Sequence, residues 1–147
     1  MDTLNLKTGL ISKTQPEVIV DLKNGQSDFL YNHNIQKQLV IVDEEGNETV
    51  TTDAKKANGE RFQYDSLRVG YPRTAKNIYG TLLEEVYPTE QQQKLLNDYQ
   101  SAELGILDDD DQADAAIDAY KAFLKARKAM KAAVYADAEA NNIPVDL

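Results

Sequence analysis

The segment from Gln112 to Asn141 constrains the fold more than any other stretch of the chain. It holds a dozen alanines interleaved with apolar and charged residues at three- and four-residue intervals. Alanine gives up no side-chain entropy in a helix and is the strongest helix former, so propensity and apolar periodicity agree on one long helix. Ile117, Tyr120 and Leu124, with Phe123, Met130 and Val134 a little rotated, make the stripe expected to be buried, while Lys121, Lys125 and Lys128 line another face. The run Asp108-Asp109-Asp110-Asp111 precedes the helix, where carboxylates complement the positive end of its dipole. Asn141, Asn142 and Pro144 mark its end.

Two shorter helices are predicted ahead of it. Ala75, Ile78, Tyr79, Leu82, Leu83 and Val86 fall on one helical face, with Pro72 placed to sit in the first turn. Pro88 separates this helix from one starting at Thr89, where Thr89 and Gln92 have capping-box spacing. Leu95, Leu96, Tyr99 and Ala102 form its apolar face, and Gly105 followed by Ile106 suits a left-handed stop.

Before Pro72 the period shortens to two. Val18, Val20 and Leu22 alternate along a strand, Asn24-Gly25 is a hairpin signal, and Asp28 to His33 is the return strand. A second hairpin runs from Gln38–Asp43 through Glu44-Glu45-Gly46-Asn47 to Thr49–Thr52, and Phe62, Tyr64, Leu67 and Val69 mark a fifth strand. Residues 1–15 are too weakly patterned to nucleate an element and read as a flexible arm, one that lies extended on the body or on a neighbouring subunit. The expected class is therefore α+β, an antiparallel β-meander of four to five short strands (residues 16–70) followed by three amphipathic helices (71–147), the last one long. The β layer and helices are expected to pack as one unit.

At 147 residues the chain is long enough to bury a sizeable core without cross-links. It has no Cys, which rules out disulfides, thiolate metal sites and cysteine nucleophiles. The net charge of -9 opposes binding to a phosphate backbone and favours solubility, protein partners or basic surfaces. No signal sequence or membrane-length apolar run is evident, so a soluble protein made in the cytosol is expected, with no membrane partner.

Candidate chemistry is sparse. His33, the only histidine, lies between Asn32 and Asn34, a context of turn chemistry more than of an oriented catalytic imidazole. The four aspartates lack the alternation, central glycine and terminal glutamate of a calcium loop, so they read as a helix cap. Glu44, Glu45, Glu84 and Glu85 could supply an acid–base pair only if the fold joined separate elements. No glycine-rich phosphate loop is present. These readings leave no catalytic residue, no cofactor and no metal ligand to nominate. Lys121, Lys125 and Lys128 read as a solvated face or as a contact for an acidic protein surface. Tyr79, Tyr99 and Tyr120 read as the edge of a core or as subunit contacts, tyrosine being suited to both.

The order of parts, ending in Tyr120-Lys121-Ala122-Phe123-Leu124-Lys125-Ala126-Arg127-Lys128-Ala129-Met130, resembles small proteins of tailed bacteriophages and prophages. It is similar in particular to tail-associated and fibre-assembly-type proteins, over about residues 112–134, in having an aromatic, an arginine and an apolar residue at helical spacing. The resemblance implies a virion component or assembly factor acting through repeated protein contacts. With the N-terminal arm, the small β layer, the tyrosine-rich helical half and the lack of a catalytic site, the expectation is a non-enzymatic structural protein of a phage virion near the tail or neck, present in several copies, and the acidic charge argues against a nucleic-acid partner. The competing expectation is a cytosolic acidic adaptor or inhibitor that occupies a basic protein surface.

Overall fold

A computed structural model describes residues 5–22, 28–107 and 109–145. The class is α+β, an antiparallel sheet of five strands followed by three helices. The chain divides into two compact units, residues 1–72 and 73–147.

The first unit contains β1 (Leu6–Ser12), β2 (Ile19–Asp21), β3 (Phe29–Val42), β4 (Glu48–Thr51) and β5 (Gly59–Val69). Its order is β1-β5-β3-β2, with β4 also paired to β3, so the sheet departs from a simple meander. One edge of β3 is shared, Phe29–Tyr31 pairing with β2 and Leu39–Val42 pairing with β4. The other edge pairs with β5 along almost its whole length. The two strands expected at 28–33 and 38–43 are thus halves of one. Nothing between them breaks the chain, because residues 34–37 contain neither glycine nor proline and are absorbed as a bulge.

The segment expected to be a flexible arm is the second correction. Leu6–Ser12 is a strand, antiparallel to β5, and Leu6 is buried. Its weak alternation has a physical cause. Gly9 takes φ of +66° at a bulge between Lys7 and Leu10, which interrupts the period-2 pattern in mid-strand.

The two bulges lie at neighbouring residues of β5. β1 fits one extra residue opposite Asp65 and β3 one extra residue opposite Tyr64, and Gly9 and Asn34 adopt positive φ in them. The Asp65 carboxylate joins them: Oδ1 accepts from the Gly9 N–H at 3.1 Å and Oδ2 from Asn34 Nδ2 at 3.2 Å. His33, directly opposite Asp65, lies inside β3 just before the bulge, so its expected place at a strand end is also corrected. The ring stacks on Tyr31 at 4.7 Å, since residues two apart share a face.

At the far end of β3 the hairpin forms as expected. Gly46 has φ of +87°, and the Asp43 side chain accepts from the N–H groups of Asn47 (2.8 Å) and Glu45 (2.9 Å). The Asn47 N–H above all holds the Asp43 carboxyl below its usual range. Asn58 pairs with Val42 as a strand residue would, its side-chain amide accepting from the Val42 N–H and donating to the Val42 carbonyl. The Asn24-Gly25 turn lies outside the described residues.

The second unit contains α1 (Ala75–Val86), α2 (Thr89–Glu103) and α3 (Asp110–Ala140). Pro72 lies outside α1, which starts after Thr74. The Thr74 hydroxyl accepts from the Asn77 N–H and so supplies the cap that fixes the start. Thr89 is likewise the first residue of α2 and not its cap. Its N–H and hydroxyl both donate to Glu84, while Gln92 reaches the Tyr87 carbonyl, so the expected capping box is replaced by bonds across the α1–α2 corner. These bonds hold the Glu84 carboxyl below its ordinary range. α2 and α3 end alike: Gly105 and Asn142 have positive φ, and the next N–H in each case returns to a carbonyl five residues back (Ile106 to Ser101, Ile143 to Ala138). Asp109 caps α3 by accepting from the N–H groups of Asp111 and Gln112, and Asp110 and Asp111 fill its first turn. Asp108 lies outside the described residues.

Replacing Asp65 with Ala should lower unfolding stability by about 1–2 kcal/mol, because two bulges lose their shared acceptor at a partly exposed site. Asp65→Asn should keep part of that, and chemical denaturation measures both. A change within a few tenths of a kcal/mol for Asp65→Ala would show that the clamp is incidental.

Candidate functional site

Within the helical unit, α3 is the common support. α1 and α2 both pack on it and follow one another along its length. α1 lies on the C-terminal half, where the Ala75 N–H donates to the Pro144 carbonyl at 2.9 Å. Tyr87, at the α1–α2 corner, packs edge-on against Phe123 at 4.9 Å. α2 then continues towards the N-terminal half, bringing Tyr99 to 4.7 Å from Tyr120. Phe123, Val134 and Ala138 are the buried residues of α3. The buried stripe therefore runs through Phe123, Val134 and Ala138, with Tyr120 and Leu124 half-buried on one flank of Phe123.

Two hollows lie side by side between α2 and α3. The larger, about 680 Å³ and open, is lined by Leu96, Tyr99, Gln100, Glu103, Leu104 and Tyr120. The smaller, about 210 Å³, shares Leu96 and Tyr120 and adds Phe123 and Arg127. Leu96, expected on the apolar face of α2, is 39% exposed at their junction, and Leu104 is 75% exposed at the end of the larger. This concavity is apolar and aromatic with polar groups at its rim, a surface suited to gripping side chains and offering no converging set of reactive groups.

The candidate contact residues separate into three places. Tyr99 and Tyr120 pack against each other with their rings tilted by 35° and line the groove. Tyr79 is half-buried near Arg127 and Tyr135. Burial raises its hydroxyl pKa, and the Arg127 charge opposes part of that rise. Lys121, Lys125 and Lys128 are exposed on a separate face of α3. Arg127 lies over the Phe123 ring at 5.3 Å, a cation–π contact that the spacing of four residues along a helix permits. Leu104 and Ile106 acquire importance only from the fold, because their exposure depends on where α2 stops.

Of the carboxylates considered for acid–base work, Glu84 has another partner. Glu84 holds the α1–α2 corner, whereas Glu44 and Glu45 lie exposed in the β3–β4 turn. Among the described residues, no three acidic or histidine side chains converge as a metal site, and no helix is long and apolar enough to cross a membrane. The chain matches no protein-family model, no curated protein and no solved structure.

Tyr120→Ala should destabilise the helical unit by about 2–4 kcal/mol, since a half-buried ring in contact with Tyr99 and Phe123 is lost. Leu104→Ala should stay within about 0.5 kcal/mol of the parent chain. Thermal unfolding of the two variants separates them, and equal effects would contradict the assigned packing.

Proposed function

We propose that this protein is a non-enzymatic structural component that holds protein surfaces together, acting in several copies in the tail or neck of a tailed bacteriophage virion. The observation that carries the reading is the groove between α2 and α3. Leu96 and Leu104 stay exposed beside the paired rings of Tyr99 and Tyr120 and give a contiguous apolar and aromatic patch. Such patches on folded proteins mark contact surfaces, and tyrosine is enriched where contacts are strongest. The virion setting draws on the resemblance of the α3 sequence to small tail-associated proteins.

A second reading, a cytosolic acidic adaptor on a basic protein surface, is favoured by one feature. Asp109, Asp110 and Asp111 are exposed at the start of α3, beside the apolar Ile106.

The groove is tested by Leu104→Asp, at a lining position 75% exposed, which should leave circular dichroism unchanged. Immobilised parent protein should retain virion proteins from a lysate of phage-infected cells, and the variant should lose most of that capture. Equal capture by both would remove the groove from the account. Capture dominated by a basic host enzyme would favour the adaptor.

A further inference from the structure

Deepening the multi-copy reading and resting on it, we infer that the exposed face of α3 is an antiparallel contact between two copies of this chain. α1 and α2 pack against one side of this 31-residue helix. At about 100° per residue, the side opposite Phe123 and Val134 carries six charges within an arc of roughly 100°, in the order Asp111, Asp114, Asp118, Lys121, Lys125, Lys128. All six are exposed, and among the described residues none has an ion-pair partner in its own chain.

Their order makes the face complementary to itself. A two-fold axis passing between positions 119 and 120 exchanges 111 with 128, 114 with 125 and 118 with 121. In an antiparallel pair of α3 helices every aspartate of one copy therefore meets a lysine of the other. A parallel pair would instead set like against like. The intervals of three and four residues keep each pair on the same flank, as helix pairs require.

Beside the charges runs a row of alanines, Ala115, Ala119, Ala122 and Ala126, with exposed Ala129, Ala133, Ala136 and Ala140 continuing the same alternation. The first four are symmetric about a point one residue, or about 1.5 Å, from the axis of the charges. Alanine side chains let two helix backbones approach closely, and the flanking charges then set direction and register. The row alone would not select an occupant. The charge order does, because its complement is the same face of a second copy.

The test uses the full chain and two triple variants. In one, Lys121, Lys125 and Lys128 become Asp. In the other, Asp111, Asp114 and Asp118 become Lys, with Asp109 and Asp110 left to cap the helix. The parent should sediment as a dimer at low salt and dissociate as salt rises. Each triple variant should remain helical by circular dichroism while its dimer weakens by about tenfold or more. An equimolar mixture of the two should recover dimer, because opposite faces again meet. A monomeric parent would overturn both the contact and the multi-copy reading. An oligomer unaffected by either triple variant, or a mixture no more associated than its components, would overturn this contact while leaving association through the groove.

Discussion

A helix of 31 residues supported along one side by two shorter helices leaves its remaining surface uncovered within the helical unit. That constraint governs the helical unit. α1 and α2 together span the length of α3 because the corner at Tyr87-Pro88 is closed by Glu84, whose carboxylate takes both the N–H and the hydroxyl of Thr89. The corner sets where α2 begins, and Gly105 sets where it ends. Between those two points Tyr99 meets Tyr120, and Leu96 and Leu104 remain open. The groove and the outer face of α3 are thus consequences of the same unequal cover.

The sheet shows a comparable economy. Asp65 sits between two strands that each carry one residue too many, and one carboxylate satisfies both irregularities. Bulges bend a strand and raise its twist, so placing two at consecutive residues of β5 bends both its neighbours close to the same level. Further along, ion pairs cross between strands: Arg68 donates to Asp28, Arg61 to Glu48, and Lys37 meets Glu60. The exposed Lys37–Glu60 pair contributes little to stability and more to register.

The legible parts of the fold were those written in local chemistry. The α3 segment, the Gly46 hairpin, the Gly105 stop and the aspartate cap each depend on residues adjacent in sequence, and the structure has them. What escaped the sequence depended on distant partners. β1 was hidden because its bulge breaks the alternation that announces a strand, and the acceptor that stabilises the bulge is 56 residues away. β3 seemed two strands because Asn34 accepts a left-handed conformation without the glycine that usually signals one. Thr89 and Gln92 had the spacing of a cap, yet Glu84 competes for the donors of Thr89. In the site, the tyrosines were recognisable individually. Their grouping required knowing that α2 runs back along α3, and the exposure of Leu104 required knowing where α2 stops.

The open face of α3 is the claim on which the pairing of two copies turns, and the cysteine-free sequence allows a clean measurement of it. Ala132→Cys introduces one exposed attachment point beyond the charged stretch, and a spin label there reports distances between copies by pulsed dipolar spectroscopy. An antiparallel pair centred between positions 119 and 120 predicts a single label separation of ~40 Å, from 1.5 Å of rise per residue and helix axes about 8–10 Å apart. Dipolar decay no different from randomly dispersed molecules, or a separation far from that value, would contradict it.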